Sequence, residues 1–140
     1  MAKAVKFKNN YYIDSDSVIH NRESLKNILN SRVRIQLIKE LNYSSFEEGN
    51  IGVNCDGYQF VIIKTIENVC ILMVANTAGT GYLFAEDWAD NADRLFRRSV
   101  WFAGNDIHFT NCYSYGINGY SAFSTYPNKL VPHRIYGIAF

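Results

Sequence analysis

The sequence predicts a mainly β protein: an antiparallel β-sandwich or jelly-roll head domain preceded by a short N-terminal strand-plus-helix segment. Three observations predict it. Aromatic residues make up 15% of the 140 residues, as ten Tyr, nine Phe and two Trp, and with Val and Ile they suit a pleated, half-buried surface. Fifteen Asn and nine Gly against only two Pro provide the turns between strands. Turn signals recur roughly every 8–12 residues between short apolar runs, the rhythm of a sandwich or barrel. An apolar share of 48% and a charged share of 19% exclude an intrinsically disordered chain.

Taken in order, Val5-Lys6-Phe7-Lys8 alternates apolar and charged residues, as a half-buried strand does. Asn9-Asn10 can turn, and Tyr11-Tyr12-Ile13 can return. After the polar Asp14-Ser15-Asp16-Ser17, a short helix is expected with Asn21 as N-cap and Glu23 in its first turn. Leu25, Ile28 and Leu29 form one apolar stripe on it. Two helical turns do not stand alone in water, so the stripe needs a partner, either the domain's own sheet or copies of itself around a symmetry axis. The expected division is an attachment or oligomerisation segment over 1–31 and a head domain over 32–140.

From residue 32 onward the pattern is β. Val33, Ile35 and Leu37 alternate with Arg34 and Gln36. A polar loop over 43–50 precedes the short strand Ile51-Gly52-Val53, and Asp56-Gly57 is a strong turn signal. The runs Tyr58 to Ile66 and Val69 to Ala75 are apolar at successive positions. They are therefore expected as central strands, with Phe60, Ile62, Val69, Ile71 and Met73 in the core. Tyr82-Leu83-Phe84 is a further strand. Ser99 to Ala103, Gly104-Asn105-Asp106 and Ile107-His108-Phe109 form a hairpin signature. Arg134 to Phe140 closes the chain as a strand expected to pair inside a sheet.

Charge narrows the function classes. The net charge of +1 gives no long-range attraction to nucleic acid or to an anionic membrane. No apolar run approaches the roughly 20 residues of a membrane helix. The opening Met1-Ala2-Lys3 has no apolar stretch of the signal-peptide kind, so none is expected. Residues 1–42 carry a net of +4 and residues 43–140 a net of −3, an asymmetry that either marks a division of labour or reflects a solvated face.

Chemistry-bearing patterns are sparse. Cys55, Cys70 and Cys112 have no CxxC spacing and read as free thiols, mostly buried. Asp87, Asp90 and Asp93 are three apart, unlike a calcium loop; they read as a solvated acidic loop that Arg94, Arg97 and Arg98 can neutralise locally. His20, His108 and His133 are scattered, and His108 is expected to face outward on its strand. No phosphate loop, GxSxG, HExxH or GxGxxG occurs, so no catalytic residue, metal or cofactor is expected. The stretch from Asn111 to Pro127 is dominated by Tyr, Ser, Asn and Gly, which provide flat amphipathic rings and adaptable hydrogen bonds. Tyr115, Asn118, Tyr120 and Tyr126 are its candidate ligand contacts, with Trp88 a second candidate because it stands among acids; the alternative is that these rings cover the core.

The opening Val5-Lys6-Phe7-Lys8-Asn9-Asn10-Tyr11-Tyr12-Ile13-Asp14-Ser15, with Val18-Ile19-His20-Asn21-Arg22 and Leu25-Lys26-Asn27-Ile28-Leu29, resembles the start of small tail-fibre and receptor-binding-type proteins of phages and prophages of Gram-positive bacteria. Lys129-Leu130-Val131-Pro132-His133-Arg134-Ile135-Tyr136-Gly137-Ile138 resembles their closing Ile-Tyr-Gly-Ile strand, and Tyr58-Gln59-Phe60-Val61-Ile62-Ile63 is similar to one of their core strands. The intervening loops, 76–98 above all, match no such motif. The resemblance implies a virion protein assembled in the host cytoplasm, a homotrimer joined to other virion proteins through its N-terminal segment. It also implies outer loops that contact a host surface, often a polysaccharide. Leu25, Ile28 and Leu29 would then be oligomer contacts. The alternatives are a purely structural virion part, such as a head fibre, baseplate adaptor or decoration protein, or a free carbohydrate-binding module.

Overall fold

The computed structural model describes residues 4–7, 10–13, 33–89, 91–116 and 124–140, and the chain divides into two units, Met1–Arg34 and Ile35–Phe140. In the first unit, β1 (Ala4–Phe7) and β2 (Asn10–Ile13) pair antiparallel with Val5 opposite Tyr12, the hairpin expected from the alternation around Asn9-Asn10. The expected helix with Leu25, Ile28 and Leu29 lies outside the described residues.

The second unit is mainly β. One sheet runs β3 (Arg34–Glu40), β12 (Pro132–Ala139), β5 (Phe60–Thr65), β6 (Cys70–Val74). The other has six strands built around β8 (Ala92–Ala103), whose length lets it serve three neighbours. One edge of β8 pairs along its whole length with β7 (Thr80–Ala89). The other edge is shared by β10 (Tyr113–Gly116) and β9 (Asp106–Phe109). Beyond these lie β11 (Ser124–Thr125) and β4 (Gly49–Gly52).

Turn chemistry follows the sequence. Gly57 (φ 82°) and Gly104 (φ 64°) take the left-handed backbone that favours glycine, and Asn68, Asn76 and Asn91 reach it as the most tolerant non-glycine type. The last strand pairs inside its sheet, as expected, with a register shift between Pro132 and Arg134.

The core overturns the expected register of β5. Val61, Ile63 and Thr65 are fully buried, whereas Phe60 and Ile62 are half-buried on the opposite face. Val61, Ile63 and Ile135 join Leu83, Phe96, Val100, Ile107 and Phe109 of the six-stranded sheet in one cluster, and Val69, Ile71 and Met73 pack against it. β6 is an edge strand rather than a central one, and its Leu72 and Val74 are exposed. Phe60 to Ile63 are apolar at four consecutive positions and do not declare their inner face; the second sheet does. Asp87 and Asp93, expected in a loop, lie on β7 and β8, where Ala89 stands opposite Ala92; Asp90 lies outside the described residues.

Candidate functional site

The outer face of the six-stranded sheet concentrates aromatic and polar side chains. It follows from alternation on β7 and β8. Leu83, Phe96, Arg98 and Val100 point inward and are fully buried, so their chain neighbours point out. Residues directly opposite in an antiparallel pair share a face, which orders the surface in rows. Thr80, Trp101, His108 and Asn50 form one row; Tyr82 and Ser99 the next; then Phe84, Arg97 and Tyr113; then Glu86, Leu95 and Tyr115. Trp88 follows, opposite Asp93. Along β7, Tyr82 (46% exposed), Phe84 (48%) and Trp88 (63%) leave their rings open to solvent, and the Tyr82 and Phe84 rings lie 5.9 Å apart, tilted by 31°.

Polar groups are fixed among these rings. The Arg97 guanidinium carbon lies 5.0 Å from the Tyr115 ring centroid and 5.5 Å from that of Tyr82, a cation held between two ring faces. Trp101 stacks on His108 with centroids 4.4 Å apart. The His108 ring is fixed in turn by Asn50 Oδ1, 2.5 Å from Nδ1, and Glu48 Oε1, 3.1 Å from Nε2. On the opposite side of β7, by the same alternation, Lys129 Nζ pairs with the Asp87 carboxylate, which also accepts the Trp88 N–H at 2.8 Å. These two bonds, Lys129's the stronger influence, hold the Asp87 carboxyl below the usual carboxylate range.

Beneath this face a buried arginine organises the loops. Arg98 is fully buried. Its Nη1 donates to the carbonyls of Glu47 (2.8 Å) and Thr110 (2.6 Å), and its Nη2 to those of Phe46 (2.9 Å) and Lys129 (2.9 Å). The bonds tie three loops to β8, including the one that presents Glu48 to His108. Burial pushes the guanidinium down from its ordinary value. The neighbouring Cys112 thiol is pushed up to about 11, mainly by burial, so it stays protonated and inert at neutral pH. The sequence reading that these arginines neutralise the local acids is therefore corrected for Arg97 and Arg98. Arg98 binds carbonyls, Arg97 stacks between rings, Arg94 donates to Ala89 O and Ser114 Oγ, and Asp87 takes its partner from Lys129, 42 residues away.

Of the expected contact residues, Tyr115 and Trp88 lie on this face, at different strands of one sheet. Tyr126 packs edge-on against buried Phe96 with centroids 5.1 Å apart, so it serves mainly to cover the core. Asn118 and Tyr120 lie outside the described residues. Among the described residues no group of three or more His, Cys, Asp or Glu is placed to hold a metal ion. Sequence reasoning missed Tyr82, Phe84, Arg97 and Trp101. The alternation Tyr82-Leu83-Phe84-Ala85 carried a usable signal, since two aromatics two apart share a face. It could not be oriented, because Leu83 between them is equally apolar.

No protein-family model, no curated protein and no solved structure matches this chain.

Proposed function

We propose that this chain is a surface-recognition protein of a phage virion, a tail-fibre or receptor-binding-type component, whose outer six-stranded face binds carbohydrate. The observation that carries the carbohydrate reading is the exposed stripe Tyr82, Phe84 and Trp88, set beside the ring-held guanidinium of Arg97 and the hydrogen-bonded His108 and Asn50. Open aromatic faces offer their surface to the C–H faces of sugars, and fixed polar groups offer bonds to hydroxyls; binding sites of this type combine apolar area with a few placed polar groups. The virion setting rests on the sequence resemblance. In this reading the second unit is a β-sandwich head, supported by the single core drawn from both sheets. The N-terminal segment attaches and trimerises, and the role is binding without catalysis.

Each ring contributes on the order of 1 kcal/mol, so a single site is weak and three sites on one particle raise avidity. The test is an array of bacterial-surface and reference glycans probed with wild type and with a Tyr82→Ala/Trp88→Ala variant. Wild-type binding lost in a variant with unchanged melting and circular dichroism is the expected result; unchanged binding removes this face from consideration. Sedimentation tests assembly, where three chains of 16.0 kDa give a species of about 48 kDa.

One observation favours a second reading, the structural virion part. Ile35, Leu37, Leu72 and Val74 on the edge strands β3 and β6 are 43–62% exposed, and packing against copies of this chain would cover them. A stable oligomer that binds no glycan selects that reading.

A further inference from the structure

The half-buried Arg97 distinguishes one class of sugar from another. Its guanidinium carbon lies 5.0 Å from the Tyr115 ring centroid and 5.5 Å from that of Tyr82, so two rings on neighbouring strands hold the cation in place. Guanidinium hydrogen bonds lie in its plane, and its edge matches a carboxylate or phosphate with two parallel bonds. Among the described residues no hydrogen bond or ion pair takes up these donors. The nearby acids are placed elsewhere: Glu48 is at His108, Asp87, on the other side of β7, is at Lys129, and Glu86, the nearest on this face by register, stands opposite Leu95 without an ion pair to Arg97. A cation immobilised in advance with unspent donors needs little further ordering to bind an anion.

We propose that the saccharide bound by this face is acidic, with its carboxylate or phosphate on the in-plane edge of Arg97 and its ring on the adjoining aromatics Tyr82, Phe84 or Tyr115. The proposal rests on the carbohydrate reading above and deepens it. A neutral sugar would leave the donors to water, whereas an anion makes charge-assisted bonds in a setting partly shielded by two rings.

The experiment uses the full chain against three sets of oligosaccharides, immobilised at matched density: neutral glycans, uronates with their methyl esters, and phosphorylated glycans with their dephosphorylated forms. The expected result is that one acidic set binds at least about tenfold more tightly than its neutralised counterpart, and that this preference weakens as salt is raised from about 0.05 to 0.5 M. Which pair shows the difference distinguishes carboxylate from phosphate. Arg97→Gln should remove the acidic preference and keep residual ring-dependent binding. Arg97→Lys, which keeps the charge without the planar fork, should fall between. Tyr82→Ala/Trp88→Ala should remove binding of every set. Equal binding of acidic and neutral partners, unchanged by Arg97→Gln, overturns the acidic assignment and leaves the carbohydrate reading standing. Absence of binding to all sets by folded wild type overturns both.

Discussion

Replacing Arg98 with methionine isolates the forces at the centre of the second unit. Methionine has nearly the length of arginine's stem, so the change removes the charged fork, which lies 5.6 Å over the Phe46 ring, more than the packing. Four backbone carbonyls lose their donors, those of Phe46, Glu47, Thr110 and Lys129. A buried acceptor left unpaired costs about 1–3 kcal/mol, so the gross loss is about 4–12 kcal/mol. Two effects offset it. The variant no longer buries a cation with no carboxylate bonded to it, a penalty of several kcal/mol, and it no longer buries Nε, which has no partner among the described residues. Loops that lose their tether also let water reach some carbonyls. The net expectation is a destabilisation of about 3–5 kcal/mol. With a urea m-value of about 2 kcal/mol/M for a chain of this size, the midpoint should fall by about 1.5–2.5 M. Arg98→Lys should lose less, because an ammonium keeps three donors and the charge. The assay is urea unfolding followed by Trp fluorescence, with the m-value checked for two-state behaviour. A shift below about 1 kcal/mol at unchanged m would refute the reasoning, since the hydrogen bonds would then only balance the desolvation of the charge. The same variant should loosen the loop that carries Glu48, so the glycan binding we propose should weaken even where the protein remains folded.

Ile63→Ala should cost about 2–5 kcal/mol and Ile62→Ala clearly less, because only the first empties a fully buried position; equal losses in urea unfolding would contradict the register of β5. Gly137→Ala should destabilise by about 1–3 kcal/mol, since an added methyl meets the Tyr58 ring, whose hydroxyl is held at Gln36; a Tyr58→Ala background should relieve part of that loss, measured as a double-mutant cycle. Asp87 titrates below its unfolded value in the folded protein, so its stabilisation is present above the ordinary carboxylate pKa near 3.9 and is lost as pH falls through the lower folded value. The melting difference between wild type and Asp87→Asn should therefore shrink as pH falls below about 5, and a constant gap would rule out the Lys129 pairing as its source.

Local chemistry made part of this protein legible in its sequence. Turn residues announced the ends of strands, as at Asp56-Gly57, Asn68 and Gly104, because few residue types adopt a positive φ without strain. Aromatic and β-branched runs announced the strands themselves, and the alternation around Asn9-Asn10 announced the first hairpin. Trp88 and Tyr115 could be singled out one at a time as candidate contacts, because residue type alone suggests what each ring can do. Facing required more. Phe60 to Ile63 are apolar at four consecutive positions, so their inner face was undetermined until the six-stranded sheet covered Val61 and Ile63. Arg98 looked like a partner for nearby acids, and only packing shows it enclosed among carbonyls from three distant loops. The aromatic face joins β7, β8, β9, β10 and β4, strands up to 65 residues apart between Asn50 and Tyr115. Sequence determined which residues could stack, turn or carry charge. Tertiary structure alone decided which of them share a surface, because strand order and register are set by long-range pairing that no local pattern encodes.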